Sequence, residues 1–134
     1  MNFISNHQHN IRVYAEDVDY MGIVYHANYL CYLERARTEL LRQNNLILSE
    51  FVKSDTLFAI HELTINYVFP AKLDDHLTIR TEIKEFRACS FLFNQEISNQ
   101  HQQLICRASV QVVCVGKNLK PKRLPNIMNI MKNE

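Results

Sequence analysis

One long helical pattern, surrounded by alternating segments, constrains the fold of this chain most. From residue 26 to about residue 44 the apolar side chains recur at helical spacing, and Leu, Glu, Arg and Ala dominate its second half. The apolar stripe is wide, which predicts a helix largely covered by other elements. It comprises Tyr29, Leu30, Leu33, Ala36, Leu40 and Leu41. We therefore expect one central helix of about five turns.

Five segments alternate apolar and polar residues with a period of two, which is typical of β-strands. One precedes the helix and four follow it, at 11–16, 56–70, 77–84, 91–97 and 104–115. In the second segment one face is predicted to run from Leu57 to Phe69 at odd positions, with His61 as an interruption. The links between the last four strands are short, which predicts that strands adjacent in sequence are antiparallel neighbours.

This order of elements predicts an α+β fold in which a five-stranded antiparallel sheet curves around the one helix. A single sheet cannot cover both the helix and its own outer face, so apolar residues on the last strands predict pairing with a second subunit. The 134 residues contain no repeat or linker, and we expect one domain over 1–134 with its core at about 10–126. Residues 117–134 are expected to run over the surface and to end in a short helix.

Composition excludes several classes of protein. The net charge is +1 and the basic residues are scattered, unlike the basic stripe of a nucleic-acid-binding protein. No apolar run approaches the roughly 20 residues of a membrane span. The N-terminal residues 1–10 are polar and lack the apolar region of a secretory signal. We therefore expect a cytoplasmic protein with no membrane span and no nucleic-acid partner.

The cysteines and N-terminal histidines predict no metal site. The cysteines form no Cys-x-x-Cys pair and have apolar neighbours, so we interpret them as small, reduced core residues. They are Cys31, Cys89, Cys106 and Cys114. His7 and His9 lie in a polar segment that favours a flexible N-terminus over a pair of metal ligands. No metal and no resident cofactor is expected.

The junction between the first strand and the helix concentrates the reactive side chains. Asp17, Asp19 and His26 lie within ten residues of one another, together with Gly22, one of two glycines. A helix start offers unpaired N–H groups and the positive end of the helix dipole. A carboxylate beside donors that receive a developing negative charge is suited to acyl transfer. We expect the N–H groups around 24–26 to be those donors.

Four stretches of the chain carry a family pattern. RVYAEDVDYMGIVYHANY at 12–29 is followed by YLERARTE at 32–39, YVFPAKLDD at 67–75 and KPKRLP at 120–125. Together they resemble the hotdog-fold acyl-CoA thioesterases. The closest resemblance is to the branch associated with the Tol–Pal system, which is related to 4-hydroxybenzoyl-CoA thioesterase. The resemblance spans about residues 10–126.

The resemblance implies a hotdog fold that hydrolyses an acyl-CoA to free acid and CoA, with CoA entering as part of the substrate. The catalytic carboxylate of the family corresponds to Asp19 and its histidine to His26. The substrate-binding loop that enters the helix corresponds to Gly22, Ile23, Val24 and Tyr25. Family members form dimers and often tetramers with active sites at the dimer interface, so a homodimer or homotetramer is expected.

One departure from the family concerns the CoA phosphates. Some relatives carry a run of basic residues before the fourth strand, whereas here Arg87 is the one basic residue in 85–90. Arg87 is therefore the candidate phosphate contact, with a solvated loop charge as the alternative. An acyl carrier protein stays a second candidate partner. Met21 stands where a small residue is usual, which predicts a narrower pocket.

The roles of the site residues remain partly open at this level. Asp19 suits either a general base that activates water or a nucleophile that forms a mixed anhydride. His26 is assigned a supporting role, orienting the thioester or the water. Asp17 is interpreted as a turn or capping carboxylate, and Gly22 as a turn residue that also borders the pocket.

Two other functions compete with hydrolysis. A hotdog hydratase or dehydratase would use a histidine and a carboxylate, although the His-Phe-Pro signature of those enzymes is absent. A non-catalytic or weakly catalytic module would bind an acyl carrier protein or a membrane-associated partner, and the basic segment 117–123 favours an acidic partner. Release of free thiol distinguishes hydrolysis from the other two functions.

Overall fold

The computed structural model describes residues 3–131, and the ends of the predicted domain, 1–2 and 132–134, lie outside that part. The strands are antiparallel and lie in the order β1-β3-β4-β5-β2. The predicted five-stranded antiparallel sheet around one helix is confirmed. In chain order the elements are β1 (Asn6–Arg12), a 3-10 turn (Ala15–Asp17), α1 (Asn28–Gln43), α2 (Leu48–Lys53), β2 (Leu57–Tyr67), β3 (His76–Lys84), β4 (Ser90–Ser98), β5 (Leu104–Val115) and α3 (Asn126–Met131).

The helix α1 packs its apolar stripe against one face of the sheet. Its predicted stripe is buried except for Leu30, which is 40% exposed. On β3 and β4 every second residue is buried beneath it, as the alternation predicts. These residues are Leu77, Ile79, Thr81 and Ile83 on β3 and Phe91, Phe93, Gln95 and Ile97 on β4.

The prediction that strands adjacent in sequence are neighbours is wrong for β2 and β3. β2 pairs with β5 at one edge, whereas β3 lies between β1 and β4. The link 68–75 crosses three strand spacings, about 14 Å, and its eight residues span up to about 27 Å when extended. A short link therefore also suffices for a crossover. The crossover passes the start of α1, where Ala71 is fully buried.

The predicted continuous face of β2 is also wrong, because the strand contains a β-bulge. The register with β5 shifts between Ile60 and Glu62, which leaves His61 as the extra residue. A bulge reverses the alternation of side chains along the strand. Phe58 and Leu63 therefore both pack against the core, although one is even-numbered and the other odd-numbered.

The first strand starts and ends earlier than the predicted 11–16, because the chain leaves the sheet after Arg12 and forms the 3-10 turn Ala15–Asp17. β1 covers Asn6–Arg12 and pairs with β3 along its whole length, so the expectation of a flexible N-terminus is wrong from Asn6 onward. Ile4 further ties this end to α1, because its N–H donates to Asn44 Oδ1 at 2.7 Å and its C=O accepts from Asn44 Nδ2 at 2.8 Å. Pairing thus orders a polar segment that lacks a strong strand signal.

The cysteines divide into two kinds. Cys106 and Cys114 are buried, as expected of core residues, and burial raises the pKa of Cys106 to about 12. Cys31 is exposed on α1 and Cys89 is partly exposed, so the core interpretation is wrong for Cys31. In residues 3–131 no helix has the length and apolar character to cross a membrane, and no cluster of three or more His, Cys, Asp or Glu side chains has metal-binding geometry.

One buried polar network lies between α1 and the sheet. Gln95 donates from Nε2 to Leu33 C=O at 2.9 Å and to Thr81 Oγ1 at 3.0 Å, and its Oε1 accepts from Arg37 Nη1 at 3.0 Å. The Arg37 guanidinium also lies 6.0 Å from the Phe93 ring centroid. Burial lowers the pKa of Arg37, and no carboxylate of the described chain forms an ion pair with it.

Candidate active site

The acidic junction forms a small hairpin between the 3-10 turn and α1. Val18 bridges to Val24, and Asp19 N–H donates to Ile23 C=O at 2.9 Å. The tip closes through Gly22 N–H, which donates to Asp19 C=O at 3.0 Å. The loop is therefore a defined turn that carries Asp19 at its tip.

Gly22 is required by the backbone of this turn. Its φ is +79°, a region that L-residues rarely adopt. A Cβ built at this position would meet no atom within 4 Å. Gly22 therefore serves the turn, and its lack of a side chain is not explained by close packing.

The Asp19 carboxylate has one fixed and one available oxygen. Its Oδ1 accepts from Met21 N–H at 2.8 Å, which holds the side chain against the turn. Within residues 3–131, Oδ2 has no hydrogen-bond partner and the carboxylate has no ion pair. Asp19 is partly buried. The geometry thus presents one oxygen of an oriented carboxylate to a ligand or water.

Two of the N–H groups predicted to receive negative charge are already occupied. Val24 N–H donates to Ala71 C=O at 2.9 Å, and Tyr25 N–H donates to Asp17 C=O at 3.0 Å. The Val24 side chain is also 3% exposed and belongs to the core. The prediction that 24–26 supplies the donors is therefore wrong for the first two residues, whose amides hold the hairpin together.

Between Ile23 and the start of α1, three other N–H groups have no acceptor in the described chain. They belong to Ile23, His26 and Ala27. His26 and Ala27 directly precede α1, where the helix dipole adds positive potential. The prediction therefore holds for His26, and Ala27 and Ile23 on either side of the predicted range also have available N–H groups.

His26 lies in an aromatic cluster. Its ring centroid is 4.5 Å from that of Tyr25 and 6.4 Å from that of Tyr67, with the Tyr67 ring edge-on at 86°. The Tyr67 hydroxyl donates to His26 C=O at 3.1 Å. Sequence reasoning assigned no role to Tyr67. The signal that marks it is its place at the start of the YVFPAKLDD stretch.

Asp17 holds the hairpin to the helix. Its Oδ2 accepts from Tyr14 N–H at 2.9 Å and its Oδ1 from Asn28 Nδ2 at 3.1 Å. The buried Tyr32 hydroxyl has no well-aligned partner in the described chain, and burial together with the nearby Asp17 carboxylate raises the pKa of Tyr32. The prediction that Asp17 is a turn and capping residue is confirmed.

The crossover between β2 and β3 fixes the other side of the site. Ala71 N–H donates to the Tyr29 hydroxyl at 3.1 Å, and Ala71 C=O accepts from Val24 N–H. Burial raises the pKa of Tyr29, so this hydroxyl stays protonated at neutral pH. One residue of the crossover thus connects α1 with the hairpin.

Arg87 lies away from the other candidate residues of the same chain. It is exposed on the link between β3 and β4, where its N–H donates to Ser90 C=O at 2.8 Å. β3 runs from His76, beside Arg12 at the hairpin end, to Lys84 at the opposite end. Its nine residues separate the two ends by about 27 Å.

Within a single chain the hairpin lies open to solvent. Tyr20 is 96% exposed, and Met21, Tyr25 and Leu73 are also exposed. A groove of about 710 Å³ crosses the outer face of the sheet, and an apolar cleft of about 260 Å³ lies between α1, α2 and β2. Neither is lined by Asp19 or His26.

Comparisons with known proteins match this architecture and motif. The sequence model of the Thioesterase-like superfamily matches residues 13–129. The acyl-CoA thioester hydrolase YbgC of Escherichia coli O6:H1 is 43% identical over 116 residues, which cover 86% of this chain and 87% of that protein.

Solved structures show the same fold. The crystal structure of "Probable Thioesterase from Bartonella henselae" superposes with a TM-score of 0.82 at 34% identity, covering 90% of this chain and all of that one. Slr0204, a 1,4-dihydroxy-2-naphthoyl-CoA thioesterase from Synechocystis, gives a TM-score of 0.89 at 25% identity and covers 96% of both chains. The chain therefore belongs to the thioesterase-like superfamily of hotdog-fold thioester hydrolases.

Proposed function

We propose that this protein hydrolyses an acyl-CoA to the free acid and CoA, with Asp19 as the catalytic carboxylate. The observation that carries the proposal is the oriented Asp19 carboxylate, with one available oxygen, on a hairpin that leads into free N–H groups at the start of α1. The activity of the E. coli relative, an acyl-CoA thioester hydrolase at 43% identity, supports it.

The free amides suit the charge that develops during hydrolysis. When an oxygen nucleophile adds to the thioester carbon, the carbonyl oxygen becomes negatively charged. Donors fixed in advance at this position lower the barrier, by about 3–4 kcal/mol for one donor in other acyl-transfer sites. The His26 and Ala27 N–H groups meet this requirement, and both are free of protein acceptors in the described chain.

Asp19 has two routes for delivering the attacking oxygen. As a general base it takes a proton from water, whose oxygen bonds to the carbonyl carbon before the C–S bond breaks and the thiolate leaves. As a nucleophile it forms a mixed anhydride with release of the thiolate, and water then cleaves the anhydride. In both routes His26 orients the thioester or the water, with its ring in tilted contact with that of Tyr25.

We further propose that a second copy of the chain completes the site. β2 is an edge strand of 11 residues, and its Ile60, Tyr67 and following Val68 are 52%, 49% and 56% exposed. A long apolar edge with unpaired backbone groups is a template for strand pairing. Because Tyr67 lies beside His26, a partner paired at β2 would cover the open hairpin.

This arrangement predicts that Ile60→Lys converts the oligomer to a monomer and lowers hydrolysis with it. A lysine at an edge strand opposes pairing, and Ile60 is already half exposed in the single chain, so folding should persist. Analytical ultracentrifugation measures the mass. Leu119→Lys, at a position 74% exposed outside β2, is the matched control. An unchanged oligomer in the Ile60 variant would place the interface elsewhere.

Arg87 fits a phosphate contact only across such an interface. In an antiparallel β2–β2 pair the Leu57 end of one chain lies beside the Tyr67 end of the other. Residues from the far end of the partner sheet therefore approach the hairpin, and Arg87 belongs to that end. An acyl carrier protein as alternative carrier, the Tol–Pal association and the cytoplasmic location stay predictions.

Release of free thiol from an acyl-CoA panel tests the proposed function. The panel includes short and long aliphatic esters and aromatic ones, because the Synechocystis neighbour is named for an aromatic CoA ester. A hydratase would change the acyl group without releasing thiol. A binding module would release none and would retain an acyl carrier protein on an affinity column. Absence of thiol from every ester would overturn the proposal.

The Gly22 turn predicts a loop-specific effect. An L-residue at positive φ is destabilised by about 1–2 kcal/mol, so Gly22→Ala should shift the tip that carries Asp19. We expect kcat/KM to fall about tenfold, equivalent to about 1.4 kcal/mol, and the free energy of unfolding to fall by no more than about 1–2 kcal/mol. Gly22→Asn, which tolerates positive φ better, should retain more activity. Parental kcat/KM in the alanine variant would contradict this prediction.

A further inference from the structure

The direction of an N–H group is set by whatever holds the carbonyl of the same peptide. In a planar trans peptide the C=O of one residue and the N–H of the next point in opposite directions. The His26 N–H therefore follows the carbonyl of Tyr25, and the Ala27 N–H follows the carbonyl of His26. These are the two free donors that directly precede α1.

The two peptides are held by different parts of the molecule. Tyr25 C=O accepts from Asn28 N–H at 2.8 Å, a local turn that ends at the first residue of α1. His26 C=O instead accepts from the Tyr67 hydroxyl at 3.1 Å, and Tyr67 is 41 residues away on β2. The first donor is thus fixed by the local turn, whereas the second depends on a contact with the edge strand.

The Tyr67 side chain is itself fixed. Its ring centroid lies 5.6 Å from that of Tyr29 and 6.4 Å from that of His26. The Tyr29 hydroxyl accepts from Ala71 N–H at 3.1 Å, which holds the crossover just after Tyr67. Burial raises the pKa of Tyr67, so its hydroxyl remains a donor throughout the pH range of an assay.

We propose that Tyr67 is a positioning residue of the thioesterase site, whose hydroxyl holds the 26–27 peptide so that the Ala27 N–H points at the carbonyl oxygen of the thioester. The inference rests on the proposed function. Ala27 N–H then acts beside His26 N–H, and the oxygen receives two donors. Because these donors matter most when the oxygen is charged, Tyr67 should affect kcat more than KM.

Tyr67→Phe removes one oxygen atom and keeps the ring. We expect kcat to fall roughly 10- to 100-fold, less than or comparable to the loss of an entire oxyanion donor, with KM nearly unchanged. Thermal unfolding should stay within about 2 °C of the parent, since the ring contacts remain. Tyr14→Phe is the matched control, because Tyr14 is also exposed, at 62%, and its hydroxyl has no hydrogen bond in the described chain.

A spectroscopic readout separates positioning from a structural role. An acyl-CoA labelled with 13C at the thioester carbonyl, hexanoyl-CoA or benzoyl-CoA according to which turns over faster, is bound to Asp19→Asn. Adding Tyr67→Phe should raise the carbonyl stretching frequency toward that of the free ester, because one donor is misdirected. An unchanged frequency with parental kcat, or a rise in KM that accounts for the whole loss, would overturn the inference.

This experiment distinguishes the inference from the proposed function. Failure of the parent chain to release thiol from any ester would overturn the function itself. A parent that hydrolyses normally, together with a Tyr67→Phe variant of equal kcat, would leave the function intact and remove Tyr67 from it. Crossing Tyr67→Phe with His26→Ala adds a second check. Additive effects are expected, because Tyr67 acts on the His26 carbonyl and not on its imidazole.

Discussion

Asp19→Asn should abolish most thioester hydrolysis while leaving the fold and the oligomeric state unchanged. The amide oxygen of asparagine can still accept from Met21 N–H, which holds the native carboxylate at 2.8 Å, so the hairpin should persist. The variant can neither take a proton from water nor attack the thioester efficiently. We expect kcat to fall by about 10²- to 10⁴-fold, with KM within a few-fold of the parent.

The matched control for this variant is Glu16→Gln. Glu16 is an exposed carboxylate on the same segment and has no hydrogen bond or ion pair in the described chain, so its conversion to an amide should leave turnover intact. Far-ultraviolet circular dichroism and sedimentation verify that both variants fold and assemble as the parent does. An Asp19→Asn variant with even a third of parental turnover would remove Asp19 from the mechanism.

Gln95→Leu should be the most destabilising of these substitutions. Gln95 is 1% exposed and makes three hydrogen bonds, to Arg37, Leu33 and Thr81. A leucine fills similar space but leaves a buried guanidinium and a buried hydroxyl without this partner. Such uncompensated groups destabilise folded proteins by about 3 kcal/mol, which corresponds to roughly 10 °C in Tm for a domain of this size.

Two further glutamine variants sharpen this test. Gln8→Leu changes the same residue type at an exposed position on β1, and its free energy of unfolding should match that of the parent. Gln95→Glu keeps an acceptor for Arg37 and supplies a negative charge, although it loses the donor to Leu33 and Thr81. Its stability should lie between those of the parent and Gln95→Leu. Equal midpoints of denaturant unfolding for the parent, Gln95→Glu and Gln95→Leu would show that the buried network contributes nothing to the free energy of unfolding.

Elements with a strong local signal were predictable from the sequence. The helix expected over 26–44 is α1 at Asn28–Gln43, because its spacing of apolar residues sets both length and buried face. The last strand has its predicted bounds, Leu104–Val115. Its long apolar pattern is recognisable from the local sequence alone, without knowledge of the strands that pair with it. α3 was expected and found, whereas α2 was missed because its six residues carry too little periodicity.

Features that depend on pairing were not predictable. The bulge at His61 exists because β2 must match the register of β5, which lies almost 50 residues further along the chain. β1 includes His7 and His9 because β3 supplies their backbone hydrogen bonds. The crossover places β2 and β3 three positions apart, and link length alone does not distinguish a crossover from a hairpin.

The same division holds within the candidate site. The motif located Asp19, Gly22 and His26 because their residue types and spacing are local. Which amides are free could not be derived, since the acceptor of Val24 N–H is Ala71 in a distant segment. Tyr67 was missed for the same reason, because its contact with His26 spans 41 residues.

Ala71, whose N–H and C=O both form hydrogen bonds, limits which substitutions and insertions the crossover can tolerate. Its N–H and C=O both hold parts of the site, and its methyl group is fully buried, so neither a longer crossover nor a larger residue can be accommodated there without moving Val24 and Tyr29. We therefore expect variation in acyl preference to lie at the solvent-facing rim, at Met21, Tyr25 and their neighbours. A library aimed at new esters should randomise that rim and leave the crossover untouched.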